Sequence, residues 1–174
     1  PVSALGEFVA AGLATQGMMW STAPAATEIE NTVLDWLVDL LGLPSSWRLD
    51  EGPGGGVIQM SASDSTHLSL AVARHQFELS GADANSLVAY GSSQAHSSIE
   101  KGARIAGFKH IRSVPVTQTF GIDADAFAQI VRDDIDSGLI PAWVCSAVGT
   151  TNTTAMDPIR AIASIATKNG MWHH

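Results

Sequence analysis

Residues 87–116 read LVAYGSSQAHSSIEKGARIAGFKHIRSVPV, and this stretch decides the fold. The apolar run LVAY predicts a buried strand, SSIEKGARIAG predicts a helix, and HIRSVPV predicts a second strand. A strand, a helix and another strand in this order predict a parallel pair joined by a helical crossover. His96 lies in the loop after the first strand. It is therefore either a packed core residue or part of a site at the strand's carboxyl end.

The rest of the chain continues this alternation of strands and helices. Residues 24–44, PAATEIENTVLDWLVDLLGLP, predict an amphipathic helix that ends near Gly42. Val57–Met60 predicts a short strand that turns into a helix over residues 61–79. Further along, DADAFAQIVRDDIDSG and DPIRAIASIATKNG predict helices on either side of a strand in AWVCSAV. We expect an α/β fold with a mostly parallel sheet flanked by helices, in a single domain over residues 1–174.

Composition excludes several classes of function. With 45% hydrophobic residues the chain can bury one sizeable core. A net charge of -8 without a basic cluster argues against nucleic acid and anionic membranes as partners. The single cysteine, Cys145, rules out an internal disulfide, and its apolar surroundings predict a core position. No apolar run reaches the roughly 20 residues of a membrane span, and we expect a cytoplasmic protein.

Three polar clusters follow predicted strands, where ligands bind in parallel sheets. They are Ser61-Ala62-Ser63, Gln94-Ala95-His96 and Gly149-Thr150-Thr151. The first opens a helix, so its backbone N–H groups and hydroxyls could hold a phosphate; ordinary helix capping is the alternative.

The chain has neither a P-loop nor a dinucleotide-binding fingerprint. His67 and His75 have no carboxylate or cysteine at ligand spacing, so we predict no metal site.

Five segments resemble, in this order, the group II pyridoxal-phosphate-dependent decarboxylases, and most of all the aromatic-L-amino-acid decarboxylases. They are STAPAATEIENTVLDWL, GGGVIQMSASDST, LVAYGSSQAHSSIEKGARIAGFK, GLIPAWVCSAVGTTNTTAMDPI and NGMW. The resemblance implies the aspartate-aminotransferase-like fold (fold type I), with this chain forming part of the large cofactor-binding domain. It also implies a homodimer that uses pyridoxal 5'-phosphate to decarboxylate an aromatic L-amino acid, giving the amine and CO2.

The resemblance also assigns site residues. The family's phosphate-binding Ala-Ser pair matches Ala62 and Ser63, with Ser61 just before it. The family's histidine that stacks on the cofactor ring and contacts substrate matches His96, which is thus expected to be catalytic. The family's cofactor-contacting threonine matches Thr151. For Thr150 a capping or packing role suffices, and Asp157 is expected to cap the helix that follows it.

Some family features have no counterpart in these residues. If His174 is the histidine of the family's Trp-x-His-Val-Asp motif, the aspartate that pairs with the cofactor lies two residues further; the alternative is that the terminal histidines belong to a tag. None of Lys101, Lys109 and Lys168 matches the cofactor-binding lysine. The family's N-terminal segment and small C-terminal domain are also missing, so we expect the 174 residues alone to be inactive.

Alternatives to aromatic amino-acid decarboxylation remain open. Met18 stands where the family has an aromatic residue that faces substrate from the partner subunit. One alternative is a decarboxylase of glutamate, histidine or diaminobutyrate. The other is a non-catalytic fragment or pseudoenzyme.

Overall fold

The computed structural model describes residues 1–174, which form two compact units, 1–59 and 60–174. The first unit contains α1 (Val2–Gly12), α2 (Pro24–Leu41) and a 3-10 turn (Ser45–Trp47). The predicted amphipathic helix is confirmed as α2. It has proline at its start and ends at Gly42, whose left-handed backbone (φ 64°) is typical of helix ends. Val38 is the only buried residue of α2.

The second unit alternates helices and strands as the sequence predicts. Its elements are α3 (Ala62–Leu79), β1 (Leu87–Ser92), α4 (Ser98–Ile105), β2 (His110–Val114), α5 (Ala124–Asp136), β3 (Ile140–Val144), α6 (Ile159–Lys168) and β4 (Trp172–His173). Every helix and strand predicted between residues 61 and 170 is confirmed. None of the six helices of the chain is both long and apolar enough to cross a membrane.

The four strands form one parallel sheet in the order β2-β1-β3-β4. All six residues of β1, a central strand, are buried. Val88 and Tyr90 pack on one face with residues of α5 and α6, whereas Leu87 and Ala89 pack on the other with residues of α3 and α4. Helices therefore cover both faces, as a parallel sheet requires. The α/β expectation is confirmed.

Two parts of the sequence-based interpretation differ from the structure. Val57–Met60 forms no strand; Val57 and Ile58 are 60% and 57% exposed. The N–H of Ile58 donates to the Glu30 carboxylate at 2.6 Å. A four-residue apolar run becomes a strand only where a neighbouring strand edge pairs with it, and none does here. In addition, α1 and the two-residue β4 have too weak a periodic signal to be predicted.

A buried polar network joins β1, β2 and α5. The hydroxyl of Tyr90 donates to Asp134 at 2.9 Å, and Arg112 donates to the same carboxylate from Nε at 3.0 Å and from Nη2 at 2.6 Å. Burial, followed by the bond to Asp134, raises the pKa of Tyr90. Asp134 is only 5% exposed, so its charge is compensated by a guanidinium and a hydroxyl rather than by water.

Candidate functional site

The N-terminus of α3 combines a capped first turn with free amide groups. Ser61 is extended, and its Oγ accepts a hydrogen bond from the N–H of Asp64 at 3.2 Å and donates one to the Asp64 carboxylate at 2.8 Å. Ser61 is therefore a helix cap. The N–H groups of Ala62 and Ser63 and the Ser63 hydroxyl have no acceptor within the chain. Such groups at a helix start can bind an anion.

This end of α3 lies beyond the carboxyl end of the sheet. The Ser69 Oγ accepts a hydrogen bond from Nε1 of Trp143, near the end of β3, at 3.2 Å. Ser63 comes earlier on the same helix, about 9 Å further along the axis at a rise of about 1.5 Å per residue. The opposite end of α3 leads into β1 through the short turn Ala84–Ser86, so the helix runs antiparallel to the strand. The free amides consequently lie at the edge where the loops after β1 and β3 begin.

His96 lies in the loop after β1, and Ser98 orients its ring. Nδ1 of His96 is 3.0 Å from the Ser98 hydroxyl and accepts the Ser98 backbone N–H at 3.2 Å. Because a backbone N–H can only donate, Nδ1 is the unprotonated nitrogen, and the neutral ring carries its proton on Nε2. The Nε2 atom has no partner within the chain, and the residue is exposed. The imidazole is thus held at one nitrogen and free at the other.

Thr151 lies at the tip of a closed loop after β3. The backbone N–H groups of Gly149 and Thr150 both donate to the carbonyl of Ala155, and an antiparallel bridge between Val148 and Met156 closes the base. The Thr150 side chain is buried, with its hydroxyl 2.6 Å from that of Thr153. Thr150 therefore packs inside the loop, in agreement with its expected role. Thr151 is exposed and makes no side-chain hydrogen bond.

Asp157 is not a helix cap, and this prediction is wrong. It is 5% exposed, and its two carboxylate oxygens accept the backbone N–H groups of Ile122 at 2.8 Å and Ala147 at 2.7 Å. The first turn of α6 has Pro158 at its cap position and no side-chain cap. Tertiary neighbours gave Asp157 two backbone amides without other acceptors, a buried one at Ile122 and a partly buried one at Ala147. The carboxylate thereby fixes the loop after β3 to the loop before α5.

The ends of β3 and β4 are joined by backbone and side-chain bonds. The His174 N–H donates to the carbonyl of Val144 at 2.8 Å, and the Ser146 N–H donates to the carbonyl of His174 at 2.9 Å. The Ser146 hydroxyl lies 2.6 Å from Nε2 of His173, and the His174 ring stacks on Trp143 at 5.7 Å between centroids. Burial lowers the pKa of both histidines. His173 therefore extends the sheet beside β3, and His174 is hydrogen-bonded to Val144 at the end of that strand and to Ser146 just after it.

The remaining reactive side chains lie outside this arrangement. Cys145 packs against the core, and burial raises the pKa of its thiol to about 11, as suits a structural cysteine. His67 packs closely on Gly102, and His75 is exposed. All three lysines are exposed. Glu100 pairs with Arg104 at 2.6 Å rather than with the neighbouring Lys101, because residues four apart share a helix face and adjacent residues do not.

All four predicted site residues thus lie at the carboxyl end of the sheet. Ala62 and Ser63 are at the start of α3, His96 is in the loop after β1, and Thr151 is in the loop after β3. No hydrogen bond joins the start of α3, His96 and Thr151 to one another. The family model described as the pyridoxal-dependent decarboxylase conserved domain matches residues 2–174. This chain belongs to that family.

Known pyridoxal-dependent decarboxylase relatives match nearly the whole chain. It is 41% identical to a phenylacetaldehyde synthase of Arabidopsis thaliana and 40% identical to an aromatic-L-amino-acid decarboxylase of Catharanthus roseus, in each case over 98% of this chain. Two solved structures match 98% of the chain as well. They are Catharanthus roseus tryptophan decarboxylase in complex with L-tryptophan (39% identity, TM-score 0.87) and Oryza sativa TDC with PLP and tryptamine (37% identity, TM-score 0.88).

This chain spans about a third of the length of these relatives. It covers 36% and 35% of the two sequences and 38% and 36% of the two structures. The family and the fold expected from the five motifs are confirmed. Sequence reasoning missed Ser98, whose backbone N–H fixes the His96 tautomer and whose hydroxyl adds a second contact to Nδ1. A serine two residues after a loop histidine is the signal that could have indicated it.

Proposed function

We propose that the protein containing this chain decarboxylates an aromatic L-amino acid with pyridoxal 5'-phosphate as cofactor. The observation that carries the proposal is the pair of free amides at the start of α3, at the edge of the sheet where the His96 loop and the Thr151 loop begin. Relatives named as aromatic-L-amino-acid, tyrosine/DOPA and tryptophan decarboxylases support the substrate class. We further propose that residues 1–174 belong to one cofactor-binding domain.

The residues present fit the phosphate of this cofactor. The amides of Ala62 and Ser63 lack internal acceptors, and the positive end of the α3 dipole adds to their attraction for an anion. The Asp64 carboxylate in the same turn opposes an anion, but it is engaged by the Ser61 hydroxyl. Local donors can therefore hold a phosphate in a chain whose net charge is -8.

The imidazole of His96 is suited to stack on a flat ring that is bound beside the phosphate site. Its Nδ1 is fixed by Ser98, so the imidazole plane is set before any ligand binds. The bound cofactor would supply the electron sink that accepts the electrons of the broken C–C bond. His96 would hold the ring plane, contact the substrate and present the proton on Nε2. Thr151, exposed at its loop tip, would donate its hydroxyl to the cofactor.

A second candidate is synthesis of an aldehyde from the same substrates. Relatives at 41% and 36% identity are named phenylacetaldehyde synthases, so the comparison supports both products. Both candidates share the cofactor and the loss of CO2. They differ in the fate of the amino group: the aldehyde is two electrons more oxidised than the amine, so its formation also consumes dioxygen and water and releases ammonia and hydrogen peroxide.

We also propose that the protein is a cytoplasmic homodimer. Residues 1–59 expose many large apolar side chains: Val2, Leu5, Phe8, Leu13, Met18, Trp20, Trp36, Leu40 and others. No residue of α1 is buried. Apolar surface of this extent indicates an interface, and a second copy of the chain is the occupant we propose. Met18 would then line the substrate site of the partner subunit.

The test uses the intact protein loaded with pyridoxal phosphate. L-tryptophan, L-tyrosine, L-DOPA and L-phenylalanine are offered alongside L-glutamate, L-histidine and L-2,4-diaminobutyrate. CO2, amine and aldehyde are measured separately. We expect CO2 and amine from the aromatic substrates. Aldehyde in place of amine would select the second candidate, and CO2 from the other three alone would reject the aromatic class. No CO2 from any substrate would support the non-catalytic alternative.

A further inference from the structure

A cleft of about 260 Å³ opens between α4 and the carboxyl ends of β1 and β2. It lies at the margin of the sheet, because β2 pairs only with β1. The side chains that matter to its chemistry are Ser93, His96, Ser97, Arg104, Arg112 and Ser113. Of these, only His96 belongs to the proposed cofactor site.

The cleft is rich in hydrogen-bond donors that nothing in the chain uses. Arg112 donates to Asp134 from Nε and Nη2, and Arg104 donates to Glu100 from the same two nitrogens, so each keeps a free Nη1. Nε2 of His96 is a third free nitrogen donor. The hydroxyls of the three serines have no partner within the chain and can donate too.

Acceptors are few in the same cleft. Glu100 is the only carboxylate that lines it, and its Oε1 already accepts both bonds from Arg104. Guanidinium nitrogens can only donate, and their planar fork matches carboxylate and phosphate oxygens. The charges of the two arginines are paired with Glu100 and Asp134, so specificity would come from donor geometry rather than from net charge.

We propose that this cleft binds a small oxyanion, at a site distinct from the start of α3. Its volume falls below the roughly 300–1,000 Å³ of pockets that hold drug-sized ligands. Inorganic phosphate and the carboxylate of a small organic acid share the required chemistry. Because His96 lines the cleft, an anion there would lie next to the ring that Ser98 orients.

The test titrates phosphate into the intact protein saturated with pyridoxal phosphate, which occupies the start of α3. Ionic strength is held constant with sodium chloride, and binding is followed by calorimetry and by 31P line width. Acetate and succinate are titrated in parallel to distinguish a carboxylate from phosphate as the ligand. The variant is Arg104→Gln, and the matched control is Arg132→Gln, an exposed arginine of α5 bonded to Gln129.

We expect saturable binding that Arg104→Gln weakens by about tenfold, as for the loss of a charged hydrogen bond, and that Arg132→Gln leaves unchanged. Absence of saturable binding by all three anions, or equal binding by both variants, would overturn the proposal. If pyridoxal phosphate does not bind, the proposed function fails. The phosphate titration is then repeated with Ser63→Asp, which blocks the α3 site, and the Arg104→Gln comparison in that background still decides the cleft.

Discussion

Replacing Ser63 with aspartate tests the phosphate site most directly. The substitution places a carboxylate at the second residue of α3 and removes a hydroxyl that has no partner in the chain. Negative charge in a first helical turn is favourable for the helix by about 0.3–1 kcal/mol. The folded protein should therefore retain its melting temperature, and any loss of cofactor affinity would be local in origin.

The expected loss follows from charge repulsion at a half-buried position. Two like unit charges about 4 Å apart repel by about 1 kcal/mol in water and about 4 kcal/mol at an effective dielectric constant near 20. Ser63 is partly exposed, so the repulsion lies towards the lower value. Together with the lost hydroxyl, the binding free energy should fall by about 1–3 kcal/mol, which is about 5- to 150-fold in Kd.

The assay measures the Kd of pyridoxal phosphate for the intact protein by absorbance or fluorescence titration. Ser63→Ala removes the hydroxyl but keeps the amide, so its loss should stay below about tenfold. Ser164→Asp, on the exposed surface of α6, controls for added charge and should bind like the wild type. A Kd for Ser63→Asp within twofold of wild type, with unchanged melting temperature, would remove Ser63 from the cofactor site.

Four further predictions concern catalysis, the isolated chain and the loops. In the intact enzyme, His96→Ala should lower turnover on the order of 10²–10⁴-fold while most cofactor affinity remains; wild-type turnover would return His96 to a packing role. Ser98→Ala should lower kcat about 2- to 10-fold with the cofactor Kd unchanged, because the ring keeps one bond, and Ser98→Thr should restore it. The isolated 174-residue chain, incubated with pyridoxal phosphate and reduced with borohydride, should show scattered lysine labelling and no CO2 release; one stoichiometrically labelled lysine with turnover would contradict this. Asp157→Ala should lower the free energy of unfolding of the intact protein by about 2–5 kcal/mol in denaturant titration, since one buried and one partly buried amide lose a charged acceptor; a change below about 1 kcal/mol would mean that water replaces it.

Local sequence determined the elements of the second unit from α3 to α6, because each of them has its own periodic signal. The apolar spacing of α5 and the continuous apolar run of β1 are complete within a few residues of sequence. The three polar clusters could be placed for the same reason, since each follows or opens such an element. The family assignment, too, depended only on the order of five local motifs.

Tertiary structure decided which partners each group would meet. Val57–Met60 has the composition of a strand but no neighbouring edge, so it stays unpaired. Asp157 lies where a helix cap is expected, yet its carboxylate oxygens accept hydrogen bonds from two backbone amides of distant segments. The His96 tautomer depends on Ser98, and the pairing of Tyr90 with Asp134 spans 44 residues. Propensity and periodicity act over a few residues, whereas hydrogen-bond partners and strand neighbours are set by packing across the whole fold, which no local pattern encodes.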